Sequence, residues 1–269
     1  MGVERDHEGI GEERRQSEER LGRWYAEYVG CAYRGAVEIG MARVARRVPV
    51  VLKTDLWNEC IGGARDVLGH LQARGEGRFF GVDLSRVVCV RGRANVPRAQ
   101  VVQADISALP FRAESFDAVL DLSTLDHLSD ADAAKAIGEY RRVLRGSGVL
   151  LLMFWQRSRL IRLRLFLKRL LGRREKPGQR YLNRDEVLAT VGARLAILDE
   201  FVTGSLLILP HSLTGLLLAG FPFRALQRFL RWQVHLERSR RARPLLQHVA
   251  GLYGIVAIRR EETAPEMRR

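Results

Sequence analysis

Apolar residues in this chain gather into short, β-branched runs separated by longer stretches of helical spacing. Runs of four to eight such residues bounded by turn residues read as strands, and recurrence at three and four residues reads as helix. On that basis residues 48–56, 78–82, 101–103, 116–122, 149–154 and 195–202 are predicted strands, and 252–258 is the last. Residues 18–47 carry Leu21, Trp24, Tyr25, Tyr28, Val29, Ala32 and Val37 at helical spacing and form one or two leading helices. Further helices are predicted over 64–74, 129–144, 156–172 and 181–191, with a short helix or irregular link over 86–97. Ser129 and Asn183 stand at N-cap positions, each followed by acidic residues in the first turn, where they complement the helix dipole. Alternation of strand and helix predicts an α/β fold: a Rossmann-like, seven-stranded, mostly parallel sheet with helices on both faces.

In such sheets ligands bind beyond the carboxyl ends of the strands. The residues there become the candidates. Asp55 ends the first run, Asp83-Leu84-Ser85 the second, Asp105-Ile106 the third, and Asp121, Ser123, Asp126 and His127 lie at or past the end of the fourth. Carboxylates there accept hydrogen bonds from the amino and hydroxyl groups of a nucleoside. Each aspartate also has an ordinary reading as a turn or cap residue. His127 is either a general base or a residue that caps the next helix.

Asp105, then Leu109-Pro110-Phe111, Phe116-Asp117-x-Val119 and Leu125-x-His127-Leu128, together resemble the middle of a class I S-adenosylmethionine-dependent methyltransferase of the small-molecule kind, type 11. Gly81-Val82-Asp83-Leu84-Ser85 resembles that family's second strand end, and RVLRGSGVLLLMFW (142–155) its helix, glycine turn and fifth strand. The resemblance implies S-adenosylmethionine as cofactor. It implies Asp55 at the acidic position after the first strand, Asp83 with Leu84 at the ribose, Asp105 and the Ile106 N–H at the adenine, and Ser123 and His127 near the methyl group. Where the family has glycines after Asp55, this chain has Trp57 and Glu59, and only Gly62 and Gly63 follow. Trp57 is expected to pack on the cofactor or in the core, and Glu59 to receive its amino group or sulfonium charge. A leading helix in this family can cover the cofactor, which makes Trp24, Tyr25 and Tyr28 lid candidates.

Composition adds three things. The cysteines, Cys31, Cys60 and Cys89, are scattered and odd in number, which argues against a disulfide framework or a metal site. The first sixteen residues are charged and lack the apolar stretch of a secretory signal, so the expected setting is cytoplasmic. The net charge of +14 is uneven: residues 156–184 hold eleven Lys/Arg against one Glu, and 224–243 hold seven Arg against one Glu. Basic segments attract anionic lipid or nucleic acid. Residues 160–171 place leucines and Phe166 on one face with arginines beside them, a basic amphipathic helix suited to an anionic membrane surface, a hydrophobic partner or the sheet itself.

Residues 204–223 are uncharged but carry Pro210, His211 and three glycines, which suits a buried or interfacial helical pair better than a membrane span. The expected organisation is an N-terminal tail and leading helix (1–47), a cofactor-binding core (48–203), an apolar and basic helical cap (204–250), and a last strand with a polar tail (251–269). The expected function is methyl transfer to a small, hydrophobic or lipid-linked acceptor, with peripheral association at the inner membrane face. Two rivals stand beside it: a binding protein that kept the fold without catalysis, and an RNA-directed methyltransferase. Nucleic acid ranks behind lipid because the aromatic residues sit within apolar runs rather than as exposed stacking platforms.

Overall fold

The computed structural model describes residues 25–62, 66–75, 77–172, 180–205, 222–237, 239 and 241–259. Trp24, most of the uncharged stretch with its expected break at Pro210, and the polar ends lie outside the described residues.

Seven strands form one sheet: β1 (Val50–Thr54), β2 (Arg78–Asp83), β3 (Ala99–Gln103), β4 (Phe116–Leu122), β5 (Leu144–Trp155), β6 (Ala196–Thr203) and β7 (Leu252–Ile258). Their order is β3-β2-β1-β4-β5-β7-β6. Neighbours from β3 through β5 pair in parallel, and β7 runs antiparallel to both β5 and β6. The strand order reverses between β1 and β4, and that switch point is where an open α/β sheet makes room for a ligand. The register there is held by Asp117 at the start of β4. It accepts the Val50 N–H at 2.7 Å and pairs with Arg145 at 2.7 Å.

Helices cover both faces. On one side lie α1 (25–41), α2 (Trp57–Ile61), α3 (Val67–Arg74), α4 (Arg86–Asn95) and α8 (Phe223–Glu237), whose Tyr28, Val88 and Leu230 share one apolar cluster. On the other lie α5 (Asp130–Val143) and α7 (Arg184–Gly192), packed through Ile137, Tyr140, Val187 and Val191. Among the described residues the remaining helices are α6 (Arg159–Leu170) and α9 (Arg243–Leu246). Ser129 and Asn183 cap α5 and α7 through their side-chain oxygens, where the sequence placed them.

Three features depart from the pattern expected of the sequence. The turn expected at 146–148 is an irregularity inside one long β5. Its partners jump from Phe116↔Leu144 to Ala118↔Val149, and Ser147 takes a positive φ of 61° to absorb the extra residues. Residues 57–61 form a helix although the sequence predicts no element there. Within the insertion expected as a cap, α8 buries Leu226, Leu230 and Val234 in the core. Glu237, fully buried at its end, accepts the Tyr28 hydroxyl at 2.6 Å, the Thr203 hydroxyl at 2.8 Å and the Gly204 N–H at 2.9 Å. One carboxylate therefore ties α1, β6 and α8 together.

Gly254 of β7 lies opposite Phe201 of β6, whose ring covers the space a side chain would take: a Cβ there would stand 2.1 Å from the ring. Gly254→Ala is expected to lower stability by about 1–3 kcal/mol through overpacking, read as a fall of several degrees in Tm. Phe201→Leu in the same chain is expected to recover part of the loss. An unchanged Tm for Gly254→Ala would contradict this packing.

Candidate functional site

The site begins with a charge inside the sheet. β1 is buried at every position, and its fourth residue is a lysine. Side chains alternate along a strand, so Lys53 shares the face of Val51, under α2. Its Nζ is fully buried, 3.0 Å from the equally buried Glu59 Oε2, and donates to the backbone oxygens of Thr54 (3.3 Å) and Asp55. The contact with Glu59 is charge pairing, not an aligned hydrogen bond. The other Glu59 oxygen accepts the N–H groups of Val67 (3.2 Å) and Leu68 (3.1 Å), which open α3. Burial disfavours the charged lysine, but the Glu59 and Asp55 carboxylates outweigh it and move its pKa upward.

The helix that this pair anchors stands where the family resembled by the sequence has glycines. Helix α2 starts two residues after Asp55 and packs Leu56 between Gly81 and Gly92. A Cβ on Gly81 would approach Leu56 to 2.5 Å. Asn95 of α4 donates to the carbonyls of Glu59 (2.9 Å) and Cys60 (3.0 Å), closing the other end of α2. Asp55, the residue that turns the chain from β1 into α2, takes φ 60°. A non-glycine residue there is strained, although aspartate tolerates it better than most.

A cleft of about 440 Å³ opens at the carboxyl ends of the strands on the β3, β2, β1 side. It is lined by Asp55 and Trp57, by Asp83, Leu84 and Ser85, by Ala104, Asp105 and Ile106, and by Thr124, His127 and Leu128. Three aspartates that are distant in sequence therefore meet in one space. Each also stabilises its own turn. Asp55 accepts the Trp57 N–H (2.8 Å), and Asp105 accepts the Ser107 N–H (2.8 Å). Asp83 accepts the N–H groups of Leu56 (2.9 Å) and Ser85 (2.8 Å), one on each oxygen. A carboxylate has about four acceptor positions, so Asp83 retains two for a ligand. Burial raises the pKa of Asp83, against the pull of its two backbone donors. Burial also pushes Asp55 up to about 6, with Lys53 pulling the other way. Ile106 has no acceptor for its N–H among the described residues. Leu84, 65% exposed, offers an apolar surface at the mouth.

Of the residues singled out by sequence, Asp55, Trp57, Asp83, Leu84, Asp105, Ile106 and His127 line this cleft. Two do not. Glu59 was expected to meet the cofactor's positive end; it is fully buried and spent on Lys53 and the start of α3. Ser123 turns towards α1, its hydroxyl 3.3 Å from that of Tyr33, and its own φ is 70°. Asp126, which also follows β4, is buried with its carboxyl group on the Trp155 N–H at 3.1 and 3.2 Å, and burial holds its pKa well above the usual range. Tyr28, a lid candidate, is fully buried against Glu237.

Sequence reasoning overlooked Lys53 and Thr124. A lone lysine in an apolar parallel strand, with a glutamate six residues on, was the available signal for the first. Thr124 lies at the cleft with its hydroxyl 3.0 Å from that of Thr54, joining the ends of β1 and β4. Below it, buried Asp121 accepts the Tyr140 hydroxyl (2.7 Å) and the Thr124 N–H (2.9 Å).

A second groove, about 540 Å³, lies beyond the turn Leu125–His127, between α5, α7 and the start of α6. Arg157, Arg159 and Arg162 line it, are exposed, and have no ion-pair partner among the described residues. Arg180 and Arg184, also in the lining, are paired with Asp130 and Asp185. Among the described residues no cluster of His, Cys, Asp and Glu could hold a metal ion.

Residues 60–152 match the family described as a methyltransferase domain. A probable S-adenosylmethionine-dependent methyltransferase of Mycobacterium tuberculosis is 34% identical over 97 residues, which is 33% of this chain and 35% of that protein. The match thus spans about a third of the relative's length. Among solved structures, the putative methyltransferase bound to the Trm112 methyltransferase activator of Haloferax volcanii superposes with TM-score 0.59 at 16% identity, over 98% of this chain and 100% of that one. The geranyl diphosphate C-methyltransferase of Streptomyces coelicolor, solved with Mg2+, geranyl diphosphate and S-adenosyl-L-homocysteine, gives TM-score 0.54 at 14% identity, over 84% and 78%. These structural likenesses establish the fold.

Lys53→Met leaves the Glu59 carboxylate buried without its counter-charge. The expected cost is about 3–5 kcal/mol, a drop of roughly 10 °C in thermal unfolding. Lys53→Met with Glu59→Gln is expected to be more stable than Lys53→Met alone, because a neutral amide oxygen still caps α3. A Lys53→Met protein within ~1 kcal/mol of the parent would show the pair to be incidental.

Proposed function

Because this chain carries a methyltransferase-family domain on a class I methyltransferase fold, we propose that it transfers a methyl group from S-adenosylmethionine to a small acceptor with an apolar body and an anionic end. The observation that carries the reading is the convergence of Asp55, Asp83, Asp105 and the Ile106 N–H in one cleft at the switch point of the sheet. The residues fit the cofactor's functional groups. Asp83 keeps two acceptor positions for vicinal ribose hydroxyls. Asp105 and the Ile106 N–H supply an acceptor and a donor to an adenine edge, with Leu84 against its face. Asp55 accepts the Trp57 N–H on one oxygen and keeps acceptor positions for a ligand; burial pushes it up to about 6, and a cationic amino or sulfonium group beside it would favour its charged form. Trp57 closes the same wall.

When bound, the cofactor supplies an electrophilic methyl group. The protein's contribution is alignment and charge placement. His127 and Thr124 lie on the β4 side of the cleft. His127 is proposed to take the proton that an oxygen or nitrogen acceptor releases. The adjoining groove, in which Arg157, Arg159 and Arg162 have no ion-pair partner among the described residues, supports an acceptor carrying phosphate or carboxylate, because arginine holds both in bidentate fashion. A lipid-linked acceptor satisfies both demands.

Calorimetric titration with S-adenosylmethionine and its demethylated product tests the cofactor assignment. Binding is expected in the micromolar range, and Asp83→Ala is expected to weaken it at least tenfold, since hydrogen bonds to a charged group contribute about 1.5–3 kcal/mol each. Absence of binding by the parent protein would contradict the reading.

The pH dependence tests Asp55 separately. Its carboxylate is the form that holds a cation, so affinity is expected to fall as pH drops through about 6, by about tenfold per pH unit below it. Asp55→Asn should bind weakly and without that slope. The sign for folding is opposite. The native state holds the Asp55 proton more tightly than the unfolded chain, so this group costs stability as pH rises from its ordinary value of 3.8 towards 6. Asp55→Asn is therefore expected to melt no lower than the parent at pH 7. A lower Tm would mean that Asp55 is structural.

A further inference from the structure

Helix α6 packs with the wrong face outwards for a core helix. Its inner side is Ile161, 2% exposed, with Leu160 and Leu165 half-buried; Ser158 caps it and the Leu160 N–H reaches the His248 carbonyl at 3.2 Å. Its outer side is Leu163, Phe166, Leu167, Leu170 and Leu171, exposed by 51, 58, 48, 67 and 70%. These positions are i, i+3, i+4, i+7 and i+8, one unbroken stripe along the helix. Single exposed leucines need no explanation, but a contiguous stripe of five large residues marks an interaction surface.

We propose that this stripe lies in the surface of an anionic lipid bilayer. Charge decides between the occupants. Exposed Arg159, Arg162 and Arg169 border the stripe, and residues 157–172 contain no Asp or Glu. A second copy of the chain would bring two such basic helices together, and like charges held that close repel. A bilayer supplies apolar depth and negative charge at once. The helix buries its stripe at the acyl boundary while the arginine stems extend along it to lipid phosphates. No helix among the described residues is long and apolar enough to cross a membrane, so α6 would lie on it. Because α6 follows β5 by three residues, the docked helix brings the arginine-lined groove to the level of the headgroups. The surface stands apart from the cofactor cleft and would act whatever that cleft holds.

Flotation of the full chain with vesicles tests the proposal. Phosphatidylcholine vesicles are compared with vesicles containing about one-third phosphatidylglycerol. The parent protein is expected to float with the anionic vesicles only, and less so at high salt. Phe166→Glu/Leu170→Glu is expected to reduce the bound fraction at least tenfold while its Tm and its affinity for S-adenosylmethionine stay unchanged. Three results would overturn the proposal. The parent fails to float with either vesicle. The double variant floats as the parent does. Or the double variant melts several degrees lower, or changes oligomeric state, with no change in flotation; the stripe is then a packing or self-association surface.

Discussion

The site depends on a buried ion pair. Lys53 in the centre of the sheet and Glu59 on the first short helix are both fully buried, 3.0 Å apart. Removing two such charges from water costs several kcal/mol each, and pairing alone rarely offsets that. Here the carboxylate also caps α3 and the ammonium donates to the backbone carbonyls of Thr54 and Asp55, which lead from β1 into α2. The pair therefore does a geometric job. It fixes α2 against β1, so that Asp55, held at a positive φ, faces the cleft beside Asp83. A glycine loop reaches such a geometry by having no side chains in the way. This chain reaches it with side chains paired by charge.

Much of the fold was legible because it obeys local rules. The β-branched runs became strands, Ser129 and Asn183 became caps, and the three aspartates after β1, β2 and β3 came together because parallel strands end on one edge. What was not legible depends on contacts between elements. Residues 57–61 carry no strong helical pattern, and their helix is held by Asn95 and Lys53. Glu59 looked available for a ligand because its partner was six residues upstream in a strand, where a charge is not expected. The 146–148 segment carries turn residues, yet pairing with β4 on either side draws it into one bulged strand.

Periodicity also cannot say which face of an amphipathic helix meets the sheet. The leucines of α6 and α8 have similar spacing. Leu226, Leu230 and Val234 of α8 are buried against the core, whereas Leu163, Phe166, Leu167 and Leu170 of α6 face outwards. Basic residues accompany both helices, so the difference is one of packing and not of composition. The excess positive charge of the chain is concentrated in the segments that carry these helices, after β5 and after β6, while the acidic residues of the cleft sit at the ends of β1, β2 and β3.

The central claim is that a short helix locked by Lys53 and Glu59 takes the place of a glycine loop and leaves the cleft able to hold a nucleoside. A crystal structure of the full chain with S-adenosylhomocysteine tests it most directly. The account expects the ribose hydroxyls on Asp83, the adenine edge at Asp105 and the Ile106 N–H, and the Lys53–Glu59 pair undisturbed. A ligand bound away from Asp83, or an α2 that unwinds and breaks the pair to admit it, would contradict the account.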